Sequence, residues 1–556
     1  MYRMYRFAVG LIAACVSLQA ADADLILHNG KIVTVDRAFS IQQAIAVKAG
    51  RIVAIGASSA ILGAERGPST NVIDLKGRTV LPGLFDSHVH AIEAGLSEFR
   101  APLPELHSFA DIQAFIRSRM RSTPNGQWIV VPRTFPTRLV ELRMPTRQVL
   151  DVATEHPVMY DASYVVVVNS YGLKVSRLDK TNPNGILRNG QSLLKGLKID
   201  SNFSDSERLQ SLEDMLKRYV AAGITSVGDR ALTPDQIAIY QRLYAEHRLP
   251  LRVAMTWRPD ILRPESELIQ EIRAATYKTG DGDHWLRFAG FKVNYDGGMT
   301  IGTAFQRQPY GPFGKQLYGI TDPLDRGNLF APPAKLLAVM RAARDKGWQL
   351  CAHSQGGGAV DAFLDTMEAL DRDEAIAPTR SHLIHASFQS DEAIARAKRL
   401  GIIADVQAPW LYLDGPALQK MFGYDGLRMF YPLRSYIDAG VIIAGGSDHM
   451  IGHDKNRATN PYNPFLNMSV AVSRKTRQGD VLHAEQKITR EEALKMHTIW
   501  AAYLQSEENA KGSLEVGKLA DMTVIDRDYL SCAEDQIKDI TPVMTIVDGK
   551  IAYHAH

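Results

Sequence analysis

Hydrophobic and polar positions alternate in short runs at both ends of the chain and follow a different rhythm between them. From Asp24 to about Thr79 the runs are brief and end in glycine turns: Leu25-Ile-Leu-His28 before Asn29-Gly30, Ala44-Ile-Ala-Val47 before Ala49-Gly50, Val72-Ile-Asp-Leu75 before Lys76-Gly77. Period-two alternation broken by such turns predicts a small antiparallel sheet. The same style returns only at the far end, in Ala520 to Asp526 and Met544 to Tyr553. Neither half is large enough to bury a core alone. The pattern therefore predicts one composite β-sandwich formed from both chain ends, residues 24–79 with 506–556.

Through residues 80–505 strand-like apolar runs alternate with amphipathic helical stretches: Gly223 to Val227, Leu286 to Tyr295, Trp348 to His353, His382 to Ala386, Ile402 to Val406 and Val441 to Ala444. Repeated strand-then-helix order argues an α/β fold with a parallel sheet, and this many units argues a (β/α)8 TIM-type barrel. One helix shows its punctuation: Ser390 can cap it, Asp391 and Glu392 occupy its positive first turn, and Gly401 ends it. A plain barrel needs about 250 residues. The excess is concentrated at about 101–197, where mixed strands and the Asn182-Pro-Asn-Gly185 turn predict an inserted subdomain over the barrel mouth.

The first residues follow neither rhythm. Arg3 and Arg6 precede an apolar run, Phe7 to Leu18, that is too short to span a bilayer, and Ala21-Asp22-Ala23 offers a signal-peptidase exit. Residues 1–23 thus read as a signal peptide, with a periplasmic or secreted mature chain. A lipoprotein reading through Cys15 competes with it but leaves only a very short apolar run before the cysteine. Cleavage removes Cys15, and Cys351 and Cys532 lie too far apart in sequence to argue a disulfide. With 64 Lys and Arg against 61 Asp and Glu, the net charge of +3 excludes a polycation that recruits nucleic acid or an anionic membrane. The expected partner is a small molecule, with no nucleic acid, no integral membrane span, and a homo-oligomer left as an option.

Candidate chemistry begins at Val80-Leu-Pro-Gly-Leu-Phe-Asp-Ser-His-Val-His90, where period two puts His88 and His90 on one strand face, able to converge on a metal ion. Chance supplies such pairs in a chain with 16 histidines, and His554-Ala-His556 in the tail reads as a solvated terminus. Further ligand types ending successive strands give the first pair its weight: His353, His385 and Asp448. His382 and His385 are three apart and should face opposite ways; His385, at the strand's C-terminal end, is the candidate and His382 a packed neighbour. Lys292 leaves an apolar strand into the expected barrel interior, where an ammonium must lose its charge or pair, Asp296 and Asp448 being the candidate partners. Trp410 and Tyr412, with Tyr310 and Phe313, suggest an aromatic substrate pocket at the mouth.

Taken in order, Pro82 to His90, Phe291-Lys-Val-Asn-Tyr-Asp-Gly297, His353, His385, Gly446-Ser-Asp448 and the closing Gly512 to Asp521 resemble the amidohydrolase superfamily, and within it amidohydrolase family 3, the N-substituted formamide deformylase-like metal-dependent hydrolases. The resemblance runs from about 24 to 553. It implies one or two divalent metal ions, usually zinc. His88 and His90 would bind the more buried ion, Lys292 would carry CO2 as a carbamate bridging two ions, and His353 and His385 would bind the second. Asp448 would act as ligand and as general base and acid. Two departures touch the pocket: Ile384 stands where many relatives have an acidic residue, and Tyr164 where they often have a histidine. The expected reaction is hydrolysis of an amide, formamide or N-acyl C–N bond by a metal-activated hydroxide. A heterocycle deaminase and a non-catalytic binding protein are the alternatives. The first is opposed by Ser354, which follows His353 where deaminases usually place a Glu shortly after, and the second by the presence of all six candidate ligands.

Overall fold

The computed structural model describes residues 22–180, 182–197 and 203–555. The signal peptide expected over 1–23 lies, except for its last two residues, outside the described residues. No described helix is long and apolar enough to cross a membrane.

The two chain ends do meet in one sandwich. A six-stranded sheet runs Lys550–His554, Pro542–Val547, Met522–Ile525, Thr79–Pro82, Lys31–Val33, Ile41–Gln42, so strands from opposite ends of the chain pair within it. The joint is antiparallel, with Val80 opposite Val524. The facing four-stranded sheet, Arg51–Gly56, Ala44–Lys48, Leu25–His28, Asn71–Asp74, is wholly N-terminal. Leu25, Leu27, Ile45 and Val47 from one sheet pack on Val80, Met522, Val524 and Ile546 from the other. The expectation of a purely antiparallel N-terminal sheet is corrected here. Asn71–Asp74 runs parallel to Leu25–His28, because helix Ser58–Glu65 carries the chain back before the strand begins.

The middle of the chain closes into a barrel of eight parallel strands: β1 (Leu84–Val89), β2 (Ile224–Leu232), β3 (Arg252–Trp257), β4 (Leu286–Asn294), β5 (Leu350–Ser354), β6 (His382–His385), β7 (Ile403–Gln407) and β8 (Ile443–Gly446). Closure between last and first strand rests on Asp448 N–H donating to His88 O and His90 N–H to His449 O, both at 2.8 Å. Glycine is required there: a Cβ on Gly446 would lie 2.7 Å from the His88 backbone nitrogen. Strand β3 escaped the sequence pattern. It opens on Arg252, a residue that marks a surface in sequence but is buried here against Asp521, with nitrogen-to-oxygen distances of 2.7 and 3.0 Å, tying barrel to sandwich.

Local chemistry explains the outer helices. Helix α1 (Asp205–Ala221) opens on a capping box, Ser204 with Glu207, and buries Leu209, Leu212, Met215, Leu216 and Tyr219 at three- and four-residue spacing. Helix α2 (Asp391–Arg399) is capped as expected: Ser390 Oγ accepts from Ala393 N–H at 3.1 Å, and Gly401 beyond its end has φ 66°. Residues within 101–197 form a helix, Phe109–Met120, and a four-stranded sheet built from Ile186–Arg188, Val165–Val168, Val158–Ala162 and Ile129–Val131. Side chains of this region reach the C-terminal ends of the barrel strands.

Candidate metal centre

Two strand ends meet at one point. His88 and His90 share a face of β1, as period two demands, and the β8 end delivers Asp448 in a left-handed conformation, φ 56°. His88 Nε2 lies 3.4 Å and His90 Nε2 3.2 Å from Asp448 Oδ1. Their ligand-type atoms all fall within 4.8 Å of one another, a spacing that can hold a metal ion. His88 is fully buried, and its Nε2 makes no hydrogen bond among the described residues. Burial, reinforced by the Lys292 charge, holds that imidazole well below the ordinary histidine range and therefore neutral.

A second pair stands beside the first. His353 Nδ1 and His385 Nε2 face each other at 2.9 Å, and the His88 and His385 ring centroids are 5.3 Å apart. The outward nitrogens decide the tautomers. His353 Nε2 meets Gly297 O at 3.1 Å and His385 Nδ1 meets Gln407 Oε1 at 2.8 Å. Both partners only accept, so both outward nitrogens carry the hydrogen and the inward ones present lone pairs to each other. That arrangement is repulsive unless a proton or a cation lies between them. Burial, with the Lys292 charge, pushes His353 down to about 3, and burial, with His353 and Lys292, pushes His385 well down. A shared proton is thus disfavoured, and the donor set suits a cation.

The backbone puts His385 there. Strict alternation from His382 would turn it outward, but His385 and Ala386 take left-handed φ of 70° and 48° and break the period. His382 is level with Cys351, itself level with Lys292, and both its nitrogens are unpartnered among the described residues. The expectation that only one of the two histidines reaches the interior is therefore corrected. Ile384 is buried and level with His353.

Lys292 is 2% exposed, and burial pushes its amine down to about 8. Neither expected ion pair forms: the amine makes no hydrogen bond or ion pair among the described residues. Asp296 instead accepts backbone N–H groups of Phe305, Gln355 and Gly356 at 2.9, 3.0 and 2.8 Å, pinning the loops around His353. Burial pushes that carboxyl up to about 7.

Of the pocket aromatics, Trp410 donates its indole N–H to Asp448 Oδ2 at 3.1 Å. Tyr164 meets His353 edge-on at 6.4 Å between centroids, and its hydroxyl oxygen accepts from Asn294 Nδ2 at 2.9 Å. Tyr310 is not brought to the cluster. It is buried, its hydroxyl donates to Ala304 O at 2.6 Å, and it packs with Leu317, Tyr318 and Ile320 as the core of a loop.

The sequence reading passed over Gln407, although it ends β7 as His353 nearly ends β5. Its Nε2 donates to Asp405 O at 2.8 Å, which orients Oε1 toward His385. It also missed Arg138, which pairs with Asp414 at 2.7 Å, contacts Asn460 Oδ1 at 3.1 Å and lies over the Trp410 ring at 5.2 Å. Asn460 in turn donates to Asp448 O at 3.0 Å. No local pattern marks a residue whose partners are hundreds of positions away.

Comparison with known proteins agrees with this architecture. A family model described as the amidohydrolase family matches residues 71–553. The N-substituted formamide deformylase of Arthrobacter pascens is 28% identical over 556 residues, covering 95% of this chain and 98% of that one. Among solved structures, an uncharacterised metal-dependent hydrolase of Pyrococcus horikoshii superposes with a TM-score of 0.68 at 22% identity, covering 92% of this chain and 99% of that one. Atrazine chlorohydrolase of Arthrobacter aurescens, solved with zinc, gives 0.55 at 16% identity, covering 95% of each chain. At these identities the structural likenesses speak for the fold.

Proposed function

Because this chain belongs to the amidohydrolase family, we propose that it is a metal-dependent hydrolase of a non-peptide C–N bond, in an amide, formamide or N-acyl compound. The observation that carries the reading is the pair of opposed lone pairs on His353 and His385 beside the His88, His90 and Asp448 cluster. His88, His90 and Asp448 would hold one divalent ion, and His353 and His385 a second. Zinc is the ion we favour. Lys292, buried with its amine pushed down to about 8, would carry CO2 as a carbamate. When bound, such ions act as Lewis acids on water and on the substrate carbonyl.

The chain's own groups handle the proton. Asp448 stands at the strand end with Oδ2 on the Trp410 indole, so its orientation is fixed before substrate arrives. It accepts a proton as the water oxygen attacks the carbonyl carbon, then returns it to the nitrogen as the C–N bond breaks. The products are a carboxylic acid and an amine, and no oxidant or reductant is needed. Trp410 and Tyr164 would form part of the pocket wall. On the strength of residues 1–23 we also propose that the protein is exported.

The test is metal analysis, followed by assay with N-formyl, N-acetyl and N-aroyl amines before and after chelation. Turnover should vanish on chelation and return on reloading, and Asp448→Asn should lose at least about a hundredfold. Chelator-resistant turnover, or near-normal turnover in metal-replete Asp448→Asn, contradicts the reading.

A further inference from the structure

Among the described residues, three arginines at the barrel mouth are paired and a fourth is not. Arg133 pairs with Asp161 at 3.1 Å, Arg138 with Asp414 at 2.7 Å and Arg307 with Asp361 at 2.7 Å. Arg258 does not. It follows Trp257 at the C-terminal end of β3, its backbone N–H held by Leu232 O at 3.0 Å, and it is half-buried. Among the described residues its guanidinium makes no hydrogen bond, no ion pair and no aromatic contact. Even Asp260, two positions on, gives its carboxylate to the Leu262 N–H at 3.0 Å instead. A partly desolvated cation with no counter-charge is costly to keep.

Trp257 is level with Leu232 on β2 and with Phe291 on β4, so Arg258 stands at the height of Lys292 at the mouth of the barrel, and its charge bears on Tyr164, Lys292 and His353. Two more groups there have unused hydrogen-bonding capacity. Asn294, level with His353 on the neighbouring strand, spends its Nδ2 on the Tyr164 hydroxyl oxygen, leaving its buried Oδ1 without a partner among the described residues. Because the Tyr164 oxygen accepts that bond, its own hydrogen is free to donate elsewhere.

We propose that Arg258 is a substrate-recognition residue and that the substrate is an amide carrying a carboxylate close to the scissile nitrogen, as in an N-acyl amino acid. The guanidinium takes the carboxylate through its planar fork of donors. Asn294 Oδ1 is the acceptor for the amide N–H, and the Tyr164 hydroxyl is a further donor. Neutral N-substituted amides would leave Arg258 unpaired, so the bound state of such compounds forfeits that interaction. The inference rests on the hydrolase reading for turnover but not for binding.

The test compares N-acetylphenylalanine, both enantiomers, with N-acetylphenethylamine, which differs only by loss of the carboxylate. Hydrogen bonds to charged groups correspond to about 10- to 100-fold, so wild type should favour one enantiomer of the acid by that factor in kcat/KM. The ratio of acid to neutral amide is internal to each variant, so a general defect cancels. It should collapse toward unity in Arg258→Met and recover in part in Arg258→Lys. Equal use of the two compounds by wild type, or an acid preference that survives Arg258→Met, overturns the proposal. If neither is turned over, the hydrolase reading has failed for these amides, and calorimetric binding of N-acetylphenylalanine decides the rest. Binding that is lost in Arg258→Met supports the assignment; no binding to wild type, or equal binding to both proteins, ends it.

Discussion

Replacing Gln407 by Leu isolates what this buried amide does for the centre. The side chain is fully buried and the two residues are of similar volume, so packing is largely kept. Four interactions go: acceptance from His385 Nδ1 at 2.8 Å, donation to Asp405 O at 2.8 Å and to Asp405 Oδ1 at 3.3 Å, and the contact of Nε2 with His88 Nδ1 at 3.4 Å. A buried N–H on His385 left without an acceptor costs about 1–3 kcal/mol. The imidazole escapes by moving its hydrogen to Nε2, the nitrogen that faces His353 at 2.9 Å. A donor then replaces a lone pair where a cation would bind. Loss of a partner behind a metal-binding histidine typically lowers affinity about 10- to 100-fold. The assay is competition for zinc against a chromophoric chelator, with circular dichroism to confirm the fold. Gln407→Glu keeps an acceptor for His385 and should lose less affinity, while a charge set against Asp405 lowers its melting temperature. Affinity in the Leu variant within twofold of wild type, or a larger loss in the Glu variant, refutes the reasoning.

Two further outcomes follow from the same geometry. Trp410→Phe keeps an aromatic ring beneath Arg138 but removes the N–H to Asp448 Oδ2; kcat should fall about tenfold or more at unchanged metal content, and an unchanged kcat contradicts the orienting role. Glu507 tests the barrel's lower end. Burial pushes this carboxyl up, but Lys511 at 2.7 Å, His284 at 2.9 Å and Arg287 at 3.2 Å outweigh it and hold it down at about 2, from an ordinary 4.5. Burial, with the Arg252 charge, pulls Lys511 down despite its contact with Glu507, so the gain sits on the carboxylate side. A depressed carboxyl contributes stability that is present above the unfolded pKa and is lost as pH falls through the folded one. Glu507→Gln should therefore cost about 3 kcal/mol at pH 7 and less than half of that near pH 3, read from denaturation midpoints. A penalty independent of pH rules out the charge explanation.

Much of the site could be read in the chain because local rules produce it. Alternation put His88 and His90 on one face, the habit of barrel strands to place functional groups at their C-terminal ends singled out His353, His385 and Asp448, and a lysine on an apolar strand marked Lys292. Capping chemistry at Ser390 and the two half-sheets at the termini were legible for the same reason: each depends on neighbours a few residues away. The tertiary structure decided what such rules cannot reach. It turned His385 inward through a left-handed backbone, ran Asn71–Asp74 parallel to Leu25–His28, buried Arg252 in a strand and withdrew Tyr310 into a loop core. It also brought Gln407 against His385, Arg138 over Trp410, and left Arg258 with no counter-charge among the described residues. Whether a polar group is satisfied depends on which other groups arrive from elsewhere in the chain. Periodicity carries no record of those arrivals, and only the closed barrel with its overlying insertion brings the partners within reach.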